Sequence, residues 1–168
     1  TYSYGPYWWT IGPFGEQEPE EILQRALAGE IETGRWQQYS FSQKFGHEGK
    51  ETHNMLGGGL RGVSDRFIVF DPGDEDLDAT RYLFTHVHSP QEEDYLLDVG
   101  GTAEFSRDAW VNGEQVLSVD SRETKAQAVV HLTAGWNTLL LKLVQPKGER
   151  LATYAVLHER CAISPSNP

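Results

Sequence analysis

Apolar and polar positions alternate with a period of two through the last third of this chain. In Thr138-Leu139-Leu140-Leu141-Lys142-Leu143-Val144-Gln145, one face carries Leu139, Leu141 and Leu143, and the other carries Leu140, Lys142 and Val144. A strand that is apolar on both faces is one buried on both sides, as inside a packed sandwich. Upstream, Arg107–Val111 and Glu114–Val119 alternate around Asn112-Gly113. Asn-Gly between two such runs signals a hairpin, because a type I′ turn needs positive φ at both central residues. Further short runs read as strands over Arg66–Phe70, Arg81–His88, Asp94–Val99, Gln127–Leu132 and Ala152–His158. Many short strands with turn signals between them favour a sandwich or barrel over an α/β fold.

The N-terminal part is mixed. Residues 7–11 read as a short strand that sends Trp8 and Trp9 to opposite faces, so that one of the two is core. Glu18-Pro19-Glu20-Glu21 opens a helix, with an early proline and acids in the first turn. Ile22, Leu23, Ala26 and Leu27 form its apolar face, and Gly29 supplies a C′ stop. Trp36–Ser42 reads as a strand, and residues 43–65 as a long polar, glycine-rich connection.

Composition narrows the possibilities. With 168 residues, 38% apolar and 11% aromatic, the chain has enough material for one domain with a core. We divide it into a sandwich module over 1–163 and a linker-like tail over 164–168. The net charge of −11 argues against nucleic acid as a partner, since phosphate binding needs a basic surface. Arg35, Lys44, Arg61 and Arg66 form a local basic exception. Cys161 is the sole cysteine, which rules out an intrachain disulfide. No apolar run approaches the roughly 18–20 residues of a membrane span.

Three motifs together point to a family. Trp9-Thr10-Ile11-Gly12-Pro13-Phe14, then Tyr82-Leu83-Phe84-Thr85 before Ser89-Pro90, then Ala109-Trp110-Val111-Asn112-Gly113 with Gly135-Trp136-Asn137-Thr138-Leu139-Leu140-Leu141-Lys142 occur in that order. The set resembles the galactose-binding-like jelly-roll modules attached to carbohydrate-active proteins. The resemblance implies an all-β jelly-roll sandwich with one short N-terminal helix. It also implies a secreted or cell-surface setting and an attached catalytic domain in cis. An oligo- or polysaccharide is the implied ligand. Calcium is a common structural ion of that fold, and the carry-over candidates for it are Glu18, Glu20 and Glu159.

Sugar rings pack flat C–H faces on Trp and Tyr, while their hydroxyls need a few placed polar groups. Trp36 and Tyr39, with Trp8 or Trp9, are the candidate platform; His47, Asn54 and Arg61 are candidate hydrogen-bonding groups. Trp110 and Trp136, inside the recurrent motifs, are assigned to the core. An ancillary domain that packs on a catalytic domain without binding sugar is the alternative. A third reading rests on His86-Val87-His88 with Glu92. On a strand the two imidazoles share a face, and the spacing resembles the first motif of the cupins, which are metal enzymes. Thr80 stands where that motif has its leading glycine, and no Pro-x-Gly-x-x-His partner follows. No Gly-x-Ser-x-Gly elbow or His-Glu-x-x-His helix is present.

Overall fold

The 11-residue strand Gly135–Gln145 runs through the middle of the structure, and its two faces explain its doubly apolar sequence. The computed structural model describes residues 3–4, 8–15, 20–32, 34–39, 68–72, 75–101, 105–120 and 126–159. In chain order these form β1 (Ser3–Tyr4), β2 (Trp8–Phe14), α1 (Glu20–Leu27), β3 (Gln37–Tyr39), β4 (Ile68–Phe70), β5 (Ala79–Ser89) and β6 (Glu93–Gly101). They continue as β7 (Ser106–Val111), β8 (Glu114–Val119), β9 (Ala126–Leu132), β10 (Gly135–Gln145) and β11 (Leu151–Glu159). One sheet has the order β3-β2-β5-β10-β7-β8, with β1 also on β5, and the other has β4-β11-β6-β9. All pairings are antiparallel. The chain is an all-β sandwich, one of the two architectures the strand pattern favours, with one short helix among the described residues.

Between the sheets lies the main core. Leu83, Val87, Ala109, Leu139, Leu141 and Leu143 of the larger sheet meet Tyr95, Leu97, Val99, Val130, Leu132 and Leu157 of the smaller. On its far side, the larger sheet carries a second cluster. Ile11, Tyr82, Phe84, Trp110 and Leu140 lie beneath Ile22 and Ala26 of α1 and beneath Trp36. The helix thus sits outside the sandwich and makes Leu140 as buried as its inward neighbours, at 2% exposure. Trp8 and Trp9 split as alternation requires: Trp8 joins the main core and Trp9 packs against the helix-side cluster.

Local signals hold where they are read. Asn112 and Gly113 have φ of 50° and 81°, and β7 pairs with β8 from Val111 opposite Glu114. The helix ends in a Schellman motif: the Glu30 amide donates to the Arg25 carbonyl (2.9 Å) and the Gly29 amide to the Ala26 carbonyl (2.9 Å). In β2, Gly12 has φ +122°, and a Cβ there would stand 2.7 Å from the Thr80 carbonyl oxygen. This glycine therefore permits the close, bulged approach of β2 to β5. Several strands run longer or shorter than the sequence reading by a few residues. The first long strand continues past Ile11 to Phe14, and Trp36 precedes β3 instead of opening it. Residues 40–67 and the tail 164–168 lie outside the described residues.

Buried carboxamides hold both ends of β10. At its start, Asn137 is 1% exposed. Its Oδ1 accepts from the Thr133 amide (2.9 Å), the Thr133 hydroxyl (3.1 Å) and Asn112 Nδ2 (2.8 Å). Its Nδ2 donates to the carbonyls of Thr133 (3.0 Å), Gly135 (3.2 Å) and Val87 (3.4 Å). Asn112 Oδ1 in turn accepts from the Thr138 amide at 2.9 Å. At the other end, Gln145 Nε2 donates to the carbonyls of Asp71 (2.9 Å) and Glu149 (2.8 Å), and its Oε1 accepts from Arg81 Nε (2.8 Å).

Two substitutions test this account. Asn137→Ala leaves several buried groups unpaired and should cost about 2–3 kcal/mol in urea denaturation. Gly113→Val should cost about 1 kcal/mol or more, because a β-branched residue resists positive φ.

Candidate functional site

Alternation along β10 determines what stands on the outer face of the larger sheet. Asn137, Leu139 and Leu141 point between the sheets, so Trp136, Thr138 and Leu140 point outward. On the neighbouring strand β5, Tyr82, Phe84, His86 and His88 share that outward face. Register places His88 opposite Trp136, His86 opposite Thr138 and Phe84 opposite Leu140. Helix α1 and Trp36 cover Phe84 and Leu140. Beyond that cover, the ladder emerges into solvent: His86 is exposed, His88 half-buried and Trp136 58% exposed.

Four rings run in sequence along this face. Phe84 and His86 meet edge-to-face with centroids 5.1 Å apart and planes at 84°. His86 lies 6.4 Å from Trp136 at 89°, and His88 lies 5.1 Å from it at 71°. The two imidazoles thus stand nearly upright beside the indole, positioned by strands that are themselves locked by Asn137. Thr138 stands on the same face opposite His86, and its amide donates to Asn112 Oδ1 at 2.9 Å. This arrangement offers an apolar ring surface with hydrogen-bonding groups beside it.

The sequence candidates are distributed differently from expectation. Trp36 is 4% exposed in the helix-side cluster, and its amide donates to the Glu32 carbonyl at 3.0 Å. It is a core residue that holds α1 on the sheet and cannot present its ring to a ligand. Trp8, at 3%, is likewise core, while Trp9 is partly buried beside the second cluster. The backbone of Tyr39 pairs opposite Trp8, and its side chain lies outside the described residues. His47, Asn54, Arg61 and Glu18 also lie outside them. Trp136 corrects the opposite assignment, since it is solvent-exposed and not core. Its outward direction follows from the leucine alternation; what covers it does not.

The cupin grouping does not assemble. His86 and His88 do share a face, but Glu92 turns to the smaller sheet, where its Oε2 is 3.2 Å from His131 Nε2. Among the described residues no three His, Cys, Asp or Glu side chains converge as a metal site. For the calcium candidates, Glu20 opens α1 on the outer side of the larger sheet, whereas Glu159 ends β11 in the smaller one. Nor does any helix among the described residues have the length and apolarity to cross a membrane.

A second opening of about 400 Å³ lies at the other end of β5, lined by Gly15, Asp76, Leu77, Asp78, Thr80 and Lys147. Among the described residues its lining has no aromatic ring, and Asp78 Oδ1 is already engaged by the Lys147 amide at 2.9 Å. The Trp136 face is the stronger candidate.

No protein-family model matches this chain. No curated protein matches it either. Among solved structures, it is similar to a β-glucosidase from Kluyveromyces marxianus with a TM-score of 0.41 and 11% identity, over 52% of this chain and 12% of that one.

The two tryptophans should separate cleanly in thermal melts. Trp36→Ala should destabilise by about 3–5 kcal/mol, the range for a large buried aromatic. Trp136→Ala should stay within about 0.5 kcal/mol of the parent, as for an exposed position.

Proposed function

We propose that this chain is a non-catalytic carbohydrate-binding module, with Trp136 as the stacking platform and His86 and His88 as the flanking hydrogen-bonding groups. The observation that carries the reading is the solvent-exposed indole beside two imidazoles of the neighbouring strand on a rigid sheet face. A pyranose needs such a pairing: an apolar ring for its C–H face and polar groups at the rim for its hydroxyls. The face is preorganised, because the Asn137 network locks both flanking strands before any ligand arrives. In this reading the module works outside the cell. It tethers an attached glycan-active enzyme to polysaccharide and raises local substrate concentration with no chemistry of its own.

The rival reading, an ancillary packing domain, calls for a broad apolar surface. The large exposed apolar side chains among the described residues are Leu77, Val129 and Trp136, which sit on separate elements. Such scatter is ordinary for a protein surface.

Calorimetry against a panel of plant and microbial polysaccharides tests the proposal. Affinity should fall on the order of 10 μM to 1 mM, since an open site retains only about 4–7 kcal/mol after ordering and desolvation. Trp136→Ala should lose about 1–3 kcal/mol of it at unchanged stability. Full affinity in that variant would move the site elsewhere. The absence of binding to every glycan would put the packing domain first.

A further inference from the structure

His131 lies on β9, the edge strand of the smaller sheet, and both of its ring nitrogens face carboxylates. Nδ1 is 2.7 Å from Asp94 Oδ1, the residue directly opposite on β6. Nε2 is 3.2 Å from Glu92 Oε2, which belongs to the turn between β5 and β6. An ionised carboxylate only accepts hydrogen bonds, and a neutral imidazole carries one N–H. Both contacts can therefore be hydrogen bonds only when the ring is an imidazolium.

We infer that His131, Glu92 and Asp94 form a proton-dependent clasp that fastens the β5–β6 turn to β9 when His131 is charged and releases the turn when it is neutral. The release is one-sided. Asp94 is the nearer partner and is held by the strand ladder, so a neutral ring keeps its remaining proton on Nδ1. Nε2 then presents a lone pair to the Glu92 carboxylate, and the turn side opens. The position gives the clasp a consequence. Ser89, at the start of this turn, pairs with Gly135, the neighbour of Trp136, so release loosens the border of the exposed ring face. The inference does not depend on what Trp136 binds.

The surroundings fit the proposed direction. Hydrogen bonds to Asp94 and then to Glu92 raise the His131 pKa above its ordinary 6.5, with desolvation opposing them. These are the charged groups that govern its titration, and β9 itself contributes no other charge. Glu93, next in the chain, is engaged by Tyr95 Oη (3.2 Å) and Gln91 Nε2 (3.4 Å) instead. A raised pKa for a base means that the clasp's contribution is fully present below about pH 6.5. It is lost as pH rises through the raised value.

Proton NMR of the ring and its contacts tests the clasp in the full chain. The His131 midpoint should exceed 6.5. It should fall in both Glu92→Gln and Asp94→Asn, with the larger shift in the latter. Cross-relaxation between the His131 ring and the Glu92 side chain should disappear above the midpoint, while that to Asp94 persists. All these side chains are exposed, so the variants keep the fold. A His131 midpoint unchanged by Glu92→Gln, or a Glu92 contact that persists with a neutral ring, would overturn the inference.

Discussion

The structure depends most on how the central strand β10 ends. Each end is fixed by a buried side chain that supplies hydrogen-bonding partners to the backbone of the adjoining turn. Asn137 and Gln145 provide them. Asn137 is the more consequential, since one amide joins the β9–β10 turn, the end of β5 and the β7–β8 hairpin. A buried amide with every group paired specifies one arrangement, because any slip in register leaves donors and acceptors unmatched. The recurrence of Asn in both the Trp-Val-Asn-Gly and Gly-Trp-Asn stretches has this direct cause: Asn112 and Asn137 bond each other at 2.8 Å.

The same strand gives the molecule its division between covered and open surface. Its outer face is apolar only as far as the helix reaches. Leu140 lies under α1 and Trp36, whereas Thr138 and Trp136 continue past that cover. Trp36 and Trp136 are therefore complementary: one seals the helix to the sheet, and the other is left at the end of the ladder. Rigidity and exposure meet at Trp136 because its neighbour Asn137 points the other way, into the hydrogen-bond network. The ring therefore stands in solvent on a strand whose position is already fixed.

Charged side chains meet on the surface around α1, where Arg25 and Arg35 face glutamates, and at the rim of the smaller sheet, where His131 faces carboxylates. The chain carries a net charge of −11, and Glu92, Glu93 and Asp94 follow one another where the turn enters β6. His131 sits between Glu92 and Asp94. Its geometry ties a surface turn to a protonation state without involving the core, so the packed interior can remain the same at either pH.

Much of the fold is legible in the residues alone because its determinants are local. Period-two alternation, Asn-Gly with positive φ, and Gly29 at a helix end each act through their own backbone and nearest neighbours. The sequence by itself determined that the chain is all-β, a sandwich or a barrel, with a short helix near its start, and that Trp136 points away from Leu139 and Leu141. Only the tertiary structure decided which tryptophans meet solvent. Exposure depends on what packs over a ring, and the cover here is α1, an element from the far end of the chain. The likeness of Trp36 and Trp136 as residues says nothing about that. Glu92 shows the same limit: its spacing from His86 and His88 suggested a shared site, yet the turn after Ser89 carries it to the other sheet and to His131. Contacts made by folding two sheets together are set by topology, and no local period in the sequence encodes them.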